Sequence, residues 1–82
     1  MYVMVHQQVL DQIIIGLVAK GGVLSVPVGK DFAVDLRDAL SFHKDVDPGV
    51  VCRLIKEHTK HGRVEVVKVG AYRRYTLPSM IR

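Results

Sequence analysis

The sequence predicts a single α+β domain: three helices, a small strand after the first helix, and a C-terminal two-stranded β-hairpin. Three observations predict it. Apolar residues recur at helical spacing from Val9 to Val18 and again from Val51 to His58. Two runs rich in Val, Tyr and Thr flank Gly70-Ala71 and alternate as strands do. Gly21-Gly22, Pro27 and Asp47-Pro48 punctuate the chain where elements must end or begin.

The first helix is the amphipathic stretch carrying Val9, Leu10, Ile13, Ile14, Leu17 and Val18, which cover about half of a helix's circumference at ~100° per residue. Gly21-Gly22 ends it. Ile15 falls outside that arc, among Gln8, Asp11 and Gln12, and is either a solitary exposed apolar residue or a subunit contact shared with the apolar segment Tyr2, Val3 and Val5. Val23 to Val26, closed by Pro27, is short and β-branched and reads as a strand. In the second helix Asp31 is placed to cap the N-terminus, Asp35 suits its positive end, and Ala33, Leu36, Ala39 and Leu40 supply a buried stripe. His43 to Val46 reads as a polar turn. Asp47-Pro48 then offers an acceptor at the N-cap and a proline at the first helical position.

The third helix, Pro48 to about Lys60, has two distinct faces. Val51, Leu54, Ile55 and His58 share one side, while Gly49, Arg53, Lys56 and Lys60 align on the other. Beyond His61-Gly62, a glycine at the first position of a two-residue loop suits a type II′ hairpin turn. That turn pairs Val69 with Tyr72, Lys68 with Arg73, Val67 with Arg74, Val66 with Tyr75, Glu65 with Thr76 and Val64 with Leu77. Val64, Val66, Tyr75 and Leu77 then share a face suited to the core, and Lys68 and Arg73 oppose one another near the tip. Two cations facing each other repel, and an anion beside them removes the conflict.

The 82 residues make one domain, 1–82, with an apolar N-terminal segment (1–6) and a short tail (78–82). Such a chain leaves little surface for a deep catalytic pocket and its supports, so neither an enzyme nor a cofactor is expected. The single cysteine, Cys52, excludes an internal disulfide framework and a multi-cysteine zinc site. No apolar run approaches the ~18 residues of a membrane span, and the N-terminus lacks the basic start of a signal peptide, so a cytoplasmic protein is expected.

Twelve Lys and Arg against eight Asp and Glu give a formal charge of +4. The excess is local: residues 1–41 carry Lys20, Lys30 and Arg37 against four aspartates, a net of −1, and residues 42–82 carry the remaining nine bases against four acids, a net of +5. One basic face, rather than general solubility, follows from that asymmetry; a merely solvated basic surface is the plainer alternative. Among other chemistry, His58 and His61 share helical spacing but have no third ligand nearby, so no metal is expected. Cys52 beside Arg53 and Lys56 is either a reactive thiolate or an inert small side chain at the core's edge.

Helix, strand, helix, turn, helix and basic hairpin is an order that resembles the winged helix-turn-helix superfamily over nearly the whole chain. Val51-Cys52-Arg53-Leu54-Ile55-Lys56-Glu57-His58 leading to Gly62-Arg63-Val64-Glu65 looks like a recognition helix running into the first wing strand, and Tyr72-Arg73-Arg74-Tyr75-Thr76-Leu77 like the returning strand. The similarity is to small bacterial, plasmid or phage transcription regulators, and it implies binding to double-stranded DNA, often as a homodimer, and a nucleoid association when bound. In that role Gly49 allows close backbone approach, Arg53 reads a guanine edge, and Val50 either touches a thymine methyl or merely borders the core. Lys56 and Lys60 meet phosphates, Lys68, Arg73 and Arg74 engage the neighbouring backbone or minor groove, and Lys44 is a further DNA contact. The opening Asp47-Pro48-Gly49-Val50 lacks the Ser, Thr, Asn or Gln that commonly read bases, so base-specific readout is thin. No small-molecule effector is evident. A protein-interaction module for an acidic partner is the rival from another class.

Overall fold

The computed structural model describes residues 5–80. In order along the chain lie α1 (His6–Ala19), β1 (Val23–Pro27), α2 (Phe32–Ala39), α3 (Pro48–Lys60), β2 (Glu65–Val69) and β3 (Tyr72–Thr76). The strands form one antiparallel sheet in the order β1-β3-β2. Three helices against a three-stranded antiparallel sheet give an α+β arrangement compatible with a winged-helix-like organisation.

α1 begins three residues earlier than its apolar periodicity suggests, because Gln8 Oε1 reaches back to accept from the backbone N–H of Val5 at 3.0 Å. It ends as expected, with Gly21 and Gly22 at φ 77° and 87° and the Gly22 N–H bonded to the Leu17 carbonyl at 2.8 Å. Val9, Ile13 and Leu17 are buried, but Val18 is 48% exposed and lies outside the core stripe assigned to it. Gly16 packs on the end of α2, where an added Cβ would lie 2.7 Å from the Leu40 carbonyl oxygen. One turn earlier, Gln12 Nε2 donates to that same oxygen at 3.1 Å.

α2 also departs from expectation at its start. Asp31 occupies the N-cap but makes no side-chain bond there; its backbone carbonyl accepts from Asp35 N–H at 2.9 Å. The turn to α3 is not simply polar, since Phe42 and Val46 are buried in it. Arg37 fastens it from α2, its Nη1 donating to the carbonyls of Lys44 (2.9 Å) and Val46 (3.2 Å). Ser41 takes a positive φ of 64° where the chain leaves α2, a conformation that costs a non-glycine residue and here lets the Phe42 N–H close on the Arg37 carbonyl at 3.2 Å.

The hairpin register is the one expected, from Glu65 opposite Thr76 to Val69 opposite Tyr72. Gly70 has φ 58° as a type II′ turn requires. β3 is central, pairing also with β1 from Val23↔Thr76 to Pro27↔Tyr72. Leu24, Val26, Tyr75 and the flanking Val64 and Leu77 close the core from the sheet side. Val66 shares their face by register yet is 42% exposed, a correction to its expected burial, because all of β2 lies exposed at the sheet's edge. The described part of the tail turns back after Leu77, and Met80 lies against the buried Gly22, where an added Cβ would meet its Cβ at 3.2 Å.

Helix propensity alone makes Gly16→Ala a gain of ~1 kcal/mol. The Leu40 oxygen is backbone and cannot swing aside, so the overpacking cost of about 1–3 kcal/mol dominates. Urea denaturation of Gly16→Ala should show a net loss of stability, and a gain would mean that α1 and α2 are not held this close.

Candidate nucleic-acid interface

α3 is built to keep one face inside and the other outside. Asp47 Oδ1 accepts from Gly49 N–H at 2.9 Å, so the carboxylate nearest the helix's N-terminus is engaged as a cap. Pro48 follows at the first position. Val51, Leu54, Ile55 and His58 are buried; Gly49, Arg53, Lys56 and Lys60 are exposed along the opposite side. Val50 is half-buried and packs against the core, which matches the core-border role among the two open for it.

His58 is the one buried polar side chain among the described residues, and both ring nitrogens are partnered. Arg63 Nη1 lies 3.2 Å from Nδ1, and Nε2 lies 2.9 Å from the Leu10 carbonyl. Arginine can only donate, so Nδ1 accepts and Nε2–H donates to Leu10. The ring therefore joins α3 to α1 and to the start of the hairpin. His61 caps the end of α3 and bonds to Glu57 at 3.2 Å, which occupies the acid at the margin of the basic face.

The expected cations divide into three places. Arg53 projects toward the start of α1, with Nη2 3.5 Å from His6 Nε2. Lys60 stands at the last turn of α3, and Lys44 in the preceding turn held by Arg37. Lys56 faces the hairpin, and Lys68 and Arg73, directly paired across β2 and β3, face Lys56 over a groove of about 340 Å³. Ile55, Thr59, Val66 and Tyr75 complete its lining. Arg74 is not part of this grouping: one step along β3, it lies on the outer face opposite Val67 and beside Ser25.

No carboxylate answers these cations among the described residues; the ion pairs present are Arg37–Asp38, His43–Asp45 and His61–Glu57. Arg73 is steadied otherwise, its guanidinium carbon 4.8 Å from the centroid of the Phe32 ring. Tyr75 below it has its hydroxyl pushed up from the usual tyrosine range by burial, against the opposing pull of the nearby Arg73 guanidinium. Cys52 is likewise raised by burial, although the charges of Lys56 and Arg73 act in the other direction. Of the two readings open for Cys52, the inert one fits that balance, because the thiolate is the nucleophile and burial disfavours it.

Phe32 and Thr59 carry no local signal of a site, and His6 carries one only as a histidine too far from the others to share a metal, not as a neighbour of Arg53. Each joins the site only through a tertiary approach, His6 to Arg53 across 47 positions. Tyr2 and Val3 lie outside the described residues; Val5 (61% exposed) and Ile15 (58%) are exposed as a subunit contact requires, joined by Val18. Among the described residues no helix is long and apolar enough to cross a membrane, and no three His, Cys, Asp or Glu side chains are grouped to hold a metal. No protein-family model matches the chain, and no curated protein does.

At neutral pH, Cys52 should react with iodoacetamide more slowly than free cysteine; faster reaction would mean that Lys56 and Arg73 outweigh burial. Asp47→Ala should cost about 1 kcal/mol in thermal or urea denaturation through loss of the cap.

Proposed function

We propose that this chain binds double-stranded DNA as a winged-helix regulator of transcription, with α3 in the major groove and the β2–β3 hairpin on the adjacent backbone or minor groove. One observation carries the reading: among the described residues, cations on two neighbouring elements, α3 and the hairpin, have no carboxylate partner, while Asp47 and Glu57, the acids at the two ends of α3, are occupied. Unpaired like charges oppose folding, and a polyanion is the partner that turns this cost into binding energy.

Within that reading Arg53 reads the base edge, since a guanidinium can donate two parallel bonds to guanine worth ~1–3 kcal/mol of discrimination. Gly49 lets the backbone approach, and Val50 contributes little because it packs on the core. Lys44, Lys56, Lys60, Lys68 and Arg73 meet phosphates, positioning the duplex without reading it. Arg74, on the far face of the wing, reaches only DNA that wraps around the hairpin. With few base-reading side chains, specificity rests on Arg53 and on DNA shape. A homodimer through Val5, Ile15 and Val18 would place two such faces on one pseudo-palindromic site; sedimentation as a monomer at micromolar concentration contradicts that arrangement.

A second reading has its own observation. The outer face of the sheet exposes Val23, Val67, Val69 and Tyr72, which suits a protein partner.

Fluorescence titration with random duplex DNA at several salt concentrations separates the two. With about five phosphates engaged, log Kd should change with log salt with a slope of magnitude about 4–5, and Arg53→Ala combined with Lys56→Ala should weaken binding and reduce that slope. Binding indifferent to salt and to both substitutions would leave the basic stripe a solvated face and favour the protein-interaction reading.

A further inference from the structure

The groove between α3 and the hairpin has more in it than phosphate recognition needs. Its cationic rim, Lys56, Lys68 and Arg73, stands over a floor of Ile55, Val66 and Tyr75. The accessible apolar part of that floor is Val66, placed by register on the core side of the sheet yet 42% exposed on the edge strand β2, while Ile55 and Tyr75 lie buried beside it. At about 340 Å³ the space lies at the small end of organic-ligand sites, which span ~300–1,000 Å³, and far exceeds the ~30 Å³ of a water molecule. The rim is also partly pre-ordered, since Phe32 holds the Arg73 guanidinium in place.

We propose that this groove binds a small organic anion, its phosphate or carboxylate head held by Lys56, Lys68 and Arg73 and its apolar body resting on Ile55, Val66 and Tyr75. The head relieves the repulsion between the directly paired Lys68 and Arg73. The body covers Val66, which the fold leaves exposed. A further consequence rests on the DNA-binding reading above: the ligand and a duplex compete for the same three cations, so the ligand releases DNA.

The test uses the whole chain, labelled for amide NMR, with phenyl phosphate, phenylacetate and inorganic phosphate as probes. Phenyl phosphate should bind at least about tenfold more tightly than inorganic phosphate, the margin that burial of a ring supplies. It should also exceed phenylacetate, which carries less charge for three cations; the reverse order would assign the head to a carboxylate, within the same proposal. The shifted amides should centre on Lys56, Val66, Lys68 and Arg73. Lys68→Gln, an exposed edge-strand change that leaves the core intact, should weaken phenyl phosphate by about threefold or more through loss of one charged contact. Equal affinity for phenyl phosphate and inorganic phosphate, or shifts centred on the outer face of the sheet, would overturn the proposal. A duplex-displacement arm separates the two readings: groove binding by a chain that binds no DNA sustains the site and sinks the DNA reading, whereas duplex binding undisturbed by a saturated groove sinks the competition.

Discussion

The position of α3 is the constraint on which the rest of the molecule depends, and the buried His58 ring sets it. One nitrogen donates to the Leu10 carbonyl of α1 and the other accepts from Arg63 at the entrance to the hairpin, so a single side chain ties together three segments. Each such bond contributes only ~1 kcal/mol net, but leaving either nitrogen unsatisfied would cost about 1–3 kcal/mol. The asymmetry makes the arrangement specific: an α3 rotated by one residue loses both partners and swings the face shared by Arg53, Lys56 and Lys60 by ~100° as a unit. Asp47 at one end of the helix and the His61–Glu57 pair at the other keep the nearby acids from cancelling that face.

The hairpin answers α3 with charge of the same sign. Placing Lys68 opposite Arg73 is a poor choice for stability, and the cation–π contact to Phe32 returns only ~0.5–1 kcal/mol. The same groove leaves Val66 uncovered. A fold optimised for stability alone would place a carboxylate at one of these positions and fill the groove with a larger side chain. Both departures fall at one place, between α3 and the hairpin, and both favour an anionic occupant: the duplex backbone in the proposed function, and a smaller anion with an apolar body in the further inference.

Much of this was legible in the sequence because local chemistry dictates it. Gly70-Ala71 sets the hairpin register, and through it the pairing of Lys68 with Arg73. Asp47-Pro48 starts α3 and the 3.6-residue period orients it. What was not legible depends on tertiary approach. Gly16 reads as a weak point in a helix until Leu40 lies against it. Asp31 has the right chemistry for a cap but its side chain makes no such bond. Val18 and Val66 are apolar residues at the right periodicity that no other element covers, whereas Val46, in a run of polar residues, is covered because Arg37 draws its turn inward. Arg73 and Arg74 look equivalent as neighbours in sequence, yet the strand's alternation sends them to opposite faces. The groove itself needs Ile55 and Val66 to meet across the fold, and no local spacing encodes that.

If α3 and the groove-facing side of the hairpin form one surface for duplex DNA, amide NMR of the chain with a short duplex reveals it residue by residue. Shifts should concentrate on Gly49, Arg53, Lys56 and Lys60 and on the hairpin at Lys68 and Arg73, leaving the outer-face residues Val23 and Val67 little changed. Shifts confined to α1 around Ile15 and Val18, or to the outer face of the sheet, would contradict it.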